Sequence, residues 1–156
     1  MARLTIKAHV DAAPEVVFAV ASDFEHAAEN FQGIEQFEIL TEGPIGVGTR
    51  FRETRVMFGK QNTEELEITA FDEPRGYVVE CDSCGAHYRS EYKFVADIAG
   101  THVRLELDCR PVSLLARLMA PLSALMMGSV KKCLTADLED LKQAAEARER
   151  EIARST

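Results

Sequence analysis

The sequence predicts an α+β fold. A curved antiparallel sheet of about seven strands surrounds one long C-terminal helix, with two short helices between the first two strands. Three observations carry this. From Ser113 to Ala147, Leu114, Leu118, Leu122, Leu125, Ser129, Cys133 and Leu141 recur at helical spacing, and Leu115, Met119, Met126, Val130, Leu134 and Leu138 widen that face. Between Gly33 and Arg110, six strand-like segments are joined by short turns, which makes neighbours antiparallel. So wide a helix face needs a concave partner that covers it from several sides, and a curved sheet is the natural one.

Arg3 to Val10 alternates, with Leu4, Ile6, Ala8 and Val10 on one side and Thr5, Lys7 and His9 on the other, as in a half-buried strand. Asp11-Ala12-Ala13-Pro14 opens a helix: Pro14 suits the first helical position, and Val16, Val17, Val20 and Phe24 form its apolar stripe. Ser22-Asp23 breaks it and caps a second short helix to about Asn30. The strands that follow span Gly33 to Thr41, Thr49 to Phe58, Gln61 to Phe71, Tyr77 to Asp82, His87 to Ala96 and Thr101 to Arg110. Pro111 ends the last strand and Ser113 caps the long helix. A helix of ~35 residues runs ~52 Å against ~33 Å for a ten-residue strand, so it overhangs the sheet or bends. Pro121 lacks an amide donor and marks the expected kink.

The 156 residues predict a single domain over 1–147, followed by a polar tail, 148–156, that should fray. With 26 acidic against 18 basic residues the net charge is −8, which argues against general nucleic-acid binding and against docking on anionic membranes. The N-terminus lacks the uninterrupted apolar core of a secretory leader, so a cytoplasmic protein with reduced thiols is expected. Val112 to Val130 is 19 residues with one charge, Arg117, close to the length of a membrane span. Pro121, Gly128, three serines and the run into Lys131 and Lys132 oppose that, and no integral membrane segment is expected.

Glu42-Gly43-Pro44-Ile45-Gly46-Val47-Gly48 is rich in glycine. No Lys-Ser/Thr follows it, and it leads into a strand, so the anion-binding mechanism of a phosphate loop is missing and a turn is expected. Cys81-Asp82-Ser83-Cys84-Gly85 has C-x-x-C spacing, with His87 three residues on. A structural zinc needs four ligands, Cys109 and Cys133 are isolated, and a redox motif should open a helix, so neither a metal nor a cofactor is expected. His9, His26 and His102 stand singly on expected surfaces.

Asp11-Ala12-Ala13-Pro14-Glu15-Val16-Val17-Phe18, then Gly43-Pro44-Ile45-Gly46-Val47-Gly48-Thr49-Arg50-Phe51, then the long terminal helix resemble the START-like, or SRPBCC, superfamily of helix-grip proteins. The likeness spans nearly the whole chain. Leu138-Glu139-Asp140-Leu141-Lys142 matches the usual ending of that family only loosely. The group includes polyketide cyclases and dehydratases, lipid-transfer domains and allergen-like ligand binders. The resemblance implies a deep, mainly apolar pocket between sheet and helix, and it is nearly silent on activity.

If the sheet grips the helix, alternation assigns the inward side chains. Phe51 inward brings Glu53, Arg55 and Met57 inward; Leu66, Ile68, Tyr77, Val79, Cys81, Tyr88, Ser90, Tyr92, Phe94, Val103, Leu105, Leu107 and Cys109 follow. Leu118, Leu122 and Met126 would close the pocket from the helix, where Met suits an adaptable wall and Gly128 leaves room. Glu53 and Arg55 are the anomaly, two charges on one strand face, which must pair or meet a polar ligand. In one register Arg55 binds a carboxylate or phenolate and Glu53 is acid or base. In the other, the favoured one, a bulge turns both to solvent and puts Arg52 and Thr54 inside. Tyr88, Ser90 and Tyr92 either offer hydroxyls to a ligand carbonyl or are core residues satisfied by backbone and water. The expected function is binding of a small hydrophobic or aromatic, lipid- or polyketide-like molecule. A cyclase or dehydratase using Glu53, Arg55, Tyr88 or Tyr92 is one alternative. A protein-interaction module using the apolar helix face is another, and an oligomer is compatible with it.

Overall fold

The computed structural model describes residues 2–57, 59–83, 85–118 and 120–155; the side chains of 2, 57, 116 and 120–126 lie outside that description. Seven strands form one antiparallel sheet: β1 (Ala2–Val10), β2 (Ile34–Ile39), β3 (Arg50–Met57), β4 (Lys60–Asp72), β5 (Gly76–Ser83), β6 (Ala86–Asp97) and β7 (Gly100–Pro111), in the order β1-β7-β6-β5-β4-β3-β2. Between β1 and β2 lie α1 (Pro14–Ala21), a 3₁₀ turn (Phe24–His26) and α2 (Ala27–Asn30). After β7 come α3 (Leu114–Leu118) and α4 (Ala120–Arg154). The α+β helix-grip architecture expected from the sequence is the one observed.

The period-2 pattern sets the register. Leu4, Ile6 and Ala8 oppose Leu107, Leu105 and Val103, and Tyr92 and Phe94 of β6 oppose Leu105 and Val103 in turn. These alternate residues form the inner face, closed by Phe18, Val17 and Val20 of α1 and by Leu138, Leu141 and Ala145 of α4. Phe18 meets Phe71, Tyr77 and Phe94 edge to face, with ring centres 5.2 to 5.9 Å apart. Phe24, Phe37 and Phe51 stack at 4.7 to 5.6 Å. A register shift between Ile68 and Ala70 brings Phe71 opposite Tyr77. The Gly43–Gly48 connector is a turn leading into β3, with Gly43 and Gly48 at positive φ.

The C-terminal helix differs from expectation in two respects. Its helical residues are Leu114–Leu118 and Ala120–Arg154, and residue 119 lies outside the described residues. Leu114, Leu115 and Leu118 are exposed instead of continuing the buried stripe. At the other end, α4 runs past residue 147 to Arg154. Its polar side chains hold the N-terminal part of the chain. Glu146 Oε2 accepts from the Asp11 amide at 2.9 Å, Glu149 Oε1 accepts from the Ala13 amide at 3.0 Å, and Lys142 Nζ donates to the His9 carbonyl at 3.0 Å. Asp140 accepts from the Gln32 amide at 3.0 Å. Ala145, among these groups, is wholly buried. No described helix is long and apolar enough to cross a membrane.

Candidate functional site

The site is built on β3. Phe51 is buried in the aromatic stack with Phe24 and Phe37, and that packing fixes which parity of β3 faces inward. Glu53 and Arg55 share the Phe51 face, so the inward register holds. The outward register with Arg52 and Thr54 inside is corrected. Arg52 pairs with Glu38 on the neighbouring strand at 3.1 Å, and the Thr54 hydroxyl bonds the Thr63 hydroxyl at 2.9 Å. The bulge invoked for that register lies elsewhere, in β2 between Ile34 and Gln36 and in β4 between Ile68 and Ala70.

Arg55 Nε donates to Glu53 Oε1. Its other two nitrogens form a fork on Asp137 of α4, Nη1 to Oδ1 at 3.1 Å and Nη2 to Oδ2 at 2.8 Å. One guanidinium therefore serves two carboxylates and ties the sheet to the helix. Gly33, just before β2, gives the cluster room: a Cβ there would stand 3.1 Å from Arg55 Nη1. Burial works against the Arg55 charge, but Glu53 and Asp137 outweigh it and raise its pKa further. Asp137 is pushed towards its neutral form. Its burial outweighs the pull of Arg55, and its carboxyl rises above the usual carboxylate range.

Beneath the charges lie Tyr77 and Tyr92, stacked at 4.8 Å. Burial raises both phenols, and the field of Glu53 and Asp137 adds to it. The Tyr77 hydroxyl donates to the Ala21 carbonyl at 3.4 Å. Further along the same face, Val79 opposes Ser90 and Ser90 opposes Leu107, while Cys81 opposes Tyr88 and Tyr88 opposes Cys109. Leu66 opposes Phe51, and Glu64 opposes Glu53. Glu64 accepts from the Ser83 hydroxyl at 2.7 Å. The Cys81 thiol is pushed up to about 12, by burial first and then by Glu64. At neutral pH it is a protonated wall residue with no nucleophile's character. Cys84 lies outside the described residues. His87 faces away from Cys81, with Nε2 2.8 Å from Glu80 and Nδ1 2.7 Å from Asp82.

The β3 to β7 residues expected at the site, Phe51, Glu53, Arg55, Leu66, Val79, Cys81, Tyr88, Ser90, Tyr92 and Leu107, thus share the inner face. The helix residues do not follow as a set. Leu118 is exposed on α3, which corrects its place in the pocket wall. The side chains of Leu122 and Met126 lie outside the described residues. Sequence reasoning misses Asp137, although its signal is present. It falls three residues after Leu134 and four before Leu141, an acid within the apolar stripe of the helix. Two shallow surface hollows of about 360 and 370 Å³ lie elsewhere, one beside Gln36, Glu38 and Arg52 and the other beside Pro14 and Asp97.

A search of curated proteins finds no match to this chain. Solved structures share its fold. TTHA0849 from Thermus thermophilus superposes with a TM-score of 0.75 at 21% identity, over 94% of this chain and 99% of that one. The Zhui aromatase/cyclase from Streptomyces sp. R1128 does so with a TM-score of 0.76 at 21% identity, covering 94% of each chain. A START superfamily protein from Mycobacterium smegmatis gives 0.66 at 18% identity, over 96% of this chain and 98% of that one. At such identities these likenesses speak for the fold. The family model described as polyketide cyclase / dehydrase and lipid transport matches residues 1–146, and the chain belongs to that family.

Proposed function

We propose that the protein binds a small hydrophobic or aromatic molecule, lipid- or polyketide-like in its apolar bulk, between the inner face of the sheet and α4. The observation that carries this reading is the Glu53–Arg55–Asp137 cluster set on a mainly apolar and aromatic face above Tyr77 and Tyr92. Such a face with a few convergent polar groups suits an apolar ligand held in one orientation. Arg55 is shared by two acids, so the cluster is formally −1 with both ionised and neutral when Asp137 holds a proton. Neither state attracts an anion. The ligand group that fits is a neutral hydroxyl or enol, donating to a carboxylate and accepting from Arg55, in place of the carboxylate or phenolate suggested by the lone Arg55. The probes are 2-naphthol and 2-naphthoate, titrated against tyrosine emission, which is free of tryptophan background because the chain has none. Naphthol should bind at least about tenfold more tightly, and Asp137→Leu should erase that preference. Tighter naphthoate binding that is lost in Arg55→Ala would return Arg55 to the role of anion receptor and sink this reading.

A second reading, dehydration or cyclisation, is favoured by the raised pKa of Asp137 beside a second carboxyl. In a β-hydroxy ketone, Glu53 would take the α-proton, Asp137 would protonate the departing hydroxyl, and the products would be an enone and water. Incubation with 4-hydroxy-4-phenylbutan-2-one tests it by mass spectrometry. Loss of one water that disappears in both Glu53→Gln and Asp137→Asn supports catalysis; unchanged substrate leaves the binding reading alone.

A further inference from the structure

Three exposed leucines follow one another on α3. Leu114 is 75% exposed and Leu115 and Leu118 are each 71%, with Val112 just before them at 56%. Two anchors at the Gly85 carbonyl fix the segment's base: the Val112 amide donates to it at 2.8 Å and the Ser113 amide at 3.2 Å. The apolar side chains are thus presented on a held segment.

The charge around them is distinct from the rest of the chain. From residue 110 to residue 132 the charged residues are Arg110, Arg117, Lys131 and Lys132, with no acid among them. This stretch carries +4 within a chain of net −8, so the remainder carries −12. All four cations are exposed, and none takes part in an ion pair among the described residues. Arg110 and Arg117 flank the leucines directly. Lys131 lies ~17 Å along α4 from Ala120 at 1.5 Å per residue. The net charge that argued against anionic membranes is an average over the whole molecule, and over residues 110–132 the sign is reversed.

We propose that α3 and its flanks dock this protein on an anionic lipid surface. The leucines enter the headgroup boundary, and Arg110 and Arg117 meet the lipid charge. A bilayer fits the pairing of exposed leucines with exposed cations, because apolar side chains reach the acyl boundary while Arg and Lys stay among the headgroups. A lipid surface needs no shaped counterpart, and the cations of the stretch from Arg110 to Lys132, which holds no acid, select its charge. The inference rests on exposure and charge alone and stands whether or not the inner face holds a ligand.

Co-sedimentation of the full chain with vesicles tests it, using phosphatidylcholine alone and phosphatidylcholine mixed equally with phosphatidylglycerol. The chain should partition onto the mixed vesicles, not onto phosphatidylcholine, and be released near 1 M salt, where the screening length falls to ~3 Å. Arg117→Ala should weaken partitioning about fivefold, the effect of one surface cation. The triple variant Leu114→Ser, Leu115→Ser, Leu118→Ser should reduce it to the phosphatidylcholine level while its thermal melt matches the parent. If the melt falls, Arg117→Ala decides alone. Equal binding to both vesicle types, or no loss in either variant, overturns the proposal. So does a lipid-free dimer by light scattering that the triple variant dissolves, which would give the face to a second copy of the chain.

Discussion

Asp137 is the residue on which the inner face turns, because it is buried and its carboxyl is pushed above the usual range, by burial first and against the pull of Arg55. The sign of its linkage to stability follows. In the unfolded chain it ionises near its ordinary value of 3.8, and in the fold it holds its proton to higher pH. Between those two values the native state binds more protons, so this group destabilises the fold as pH rises through that window. Asp137→Asn removes the titration, and urea unfolding at pH 4 and pH 7 should show the variant gaining stability relative to the parent as pH rises. A gap that stays constant or moves the other way would show that the pair with Arg55 outweighs burial. Arg55 and Glu53 were legible as a same-face pair from their spacing alone. Their inward parity was not, because a strand read alone has no origin for its alternation. The Phe51 stack with Phe24 and Phe37 supplies that origin, and those partners come from outside the strand.

At the scale of elements, α4 acts as a clasp as well as a core helix. Glu146 and Glu149 satisfy the amides of Asp11 and Ala13, which precede α1, and no side chain caps that helix from its own N-cap. The double variant Glu146→Ala, Glu149→Ala should cost about 1–3 kcal/mol, the effect of two modest side chain to backbone bonds. Hydrogen exchange should quicken at Asp11 and Ala13 before it quickens in β6. Unchanged exchange at those two amides would mean that packing of Ala145 and Leu141 alone seats the helix. Strands and turns were readable because alternation and glycine are local signals. The exposure of Leu114, Leu115 and Leu118 was less so, because the periodic apolar pattern runs straight through them. The polar stretch after Leu141 read as free for a similar reason, since its partners are the backbone amides of residues over a hundred positions earlier.

For the whole molecule, ligand binding and stability are one equilibrium. A ligand that fills the inner face at a hundred times its Kd should raise unfolding free energy by about 2.7 kcal/mol. The first and last elements of the fold are also bound to one another by topology. β1 pairs along its length with β7, so that Ala2 lies opposite Cys109 and Val10 opposite Thr101, while α4 fastens the segment that follows β1. During synthesis the first strand therefore leaves the ribosome with no partner. Its apolar side and one row of backbone groups stay uncovered until β7 has been made. Such a strand is a ready edge for wrong pairing, and closing so long a loop is entropically late. The growing domain is thus vulnerable for as long as β7 is unmade, and how well it is made in a cell depends on what shelters Leu4, Ile6 and Ala8 in that interval.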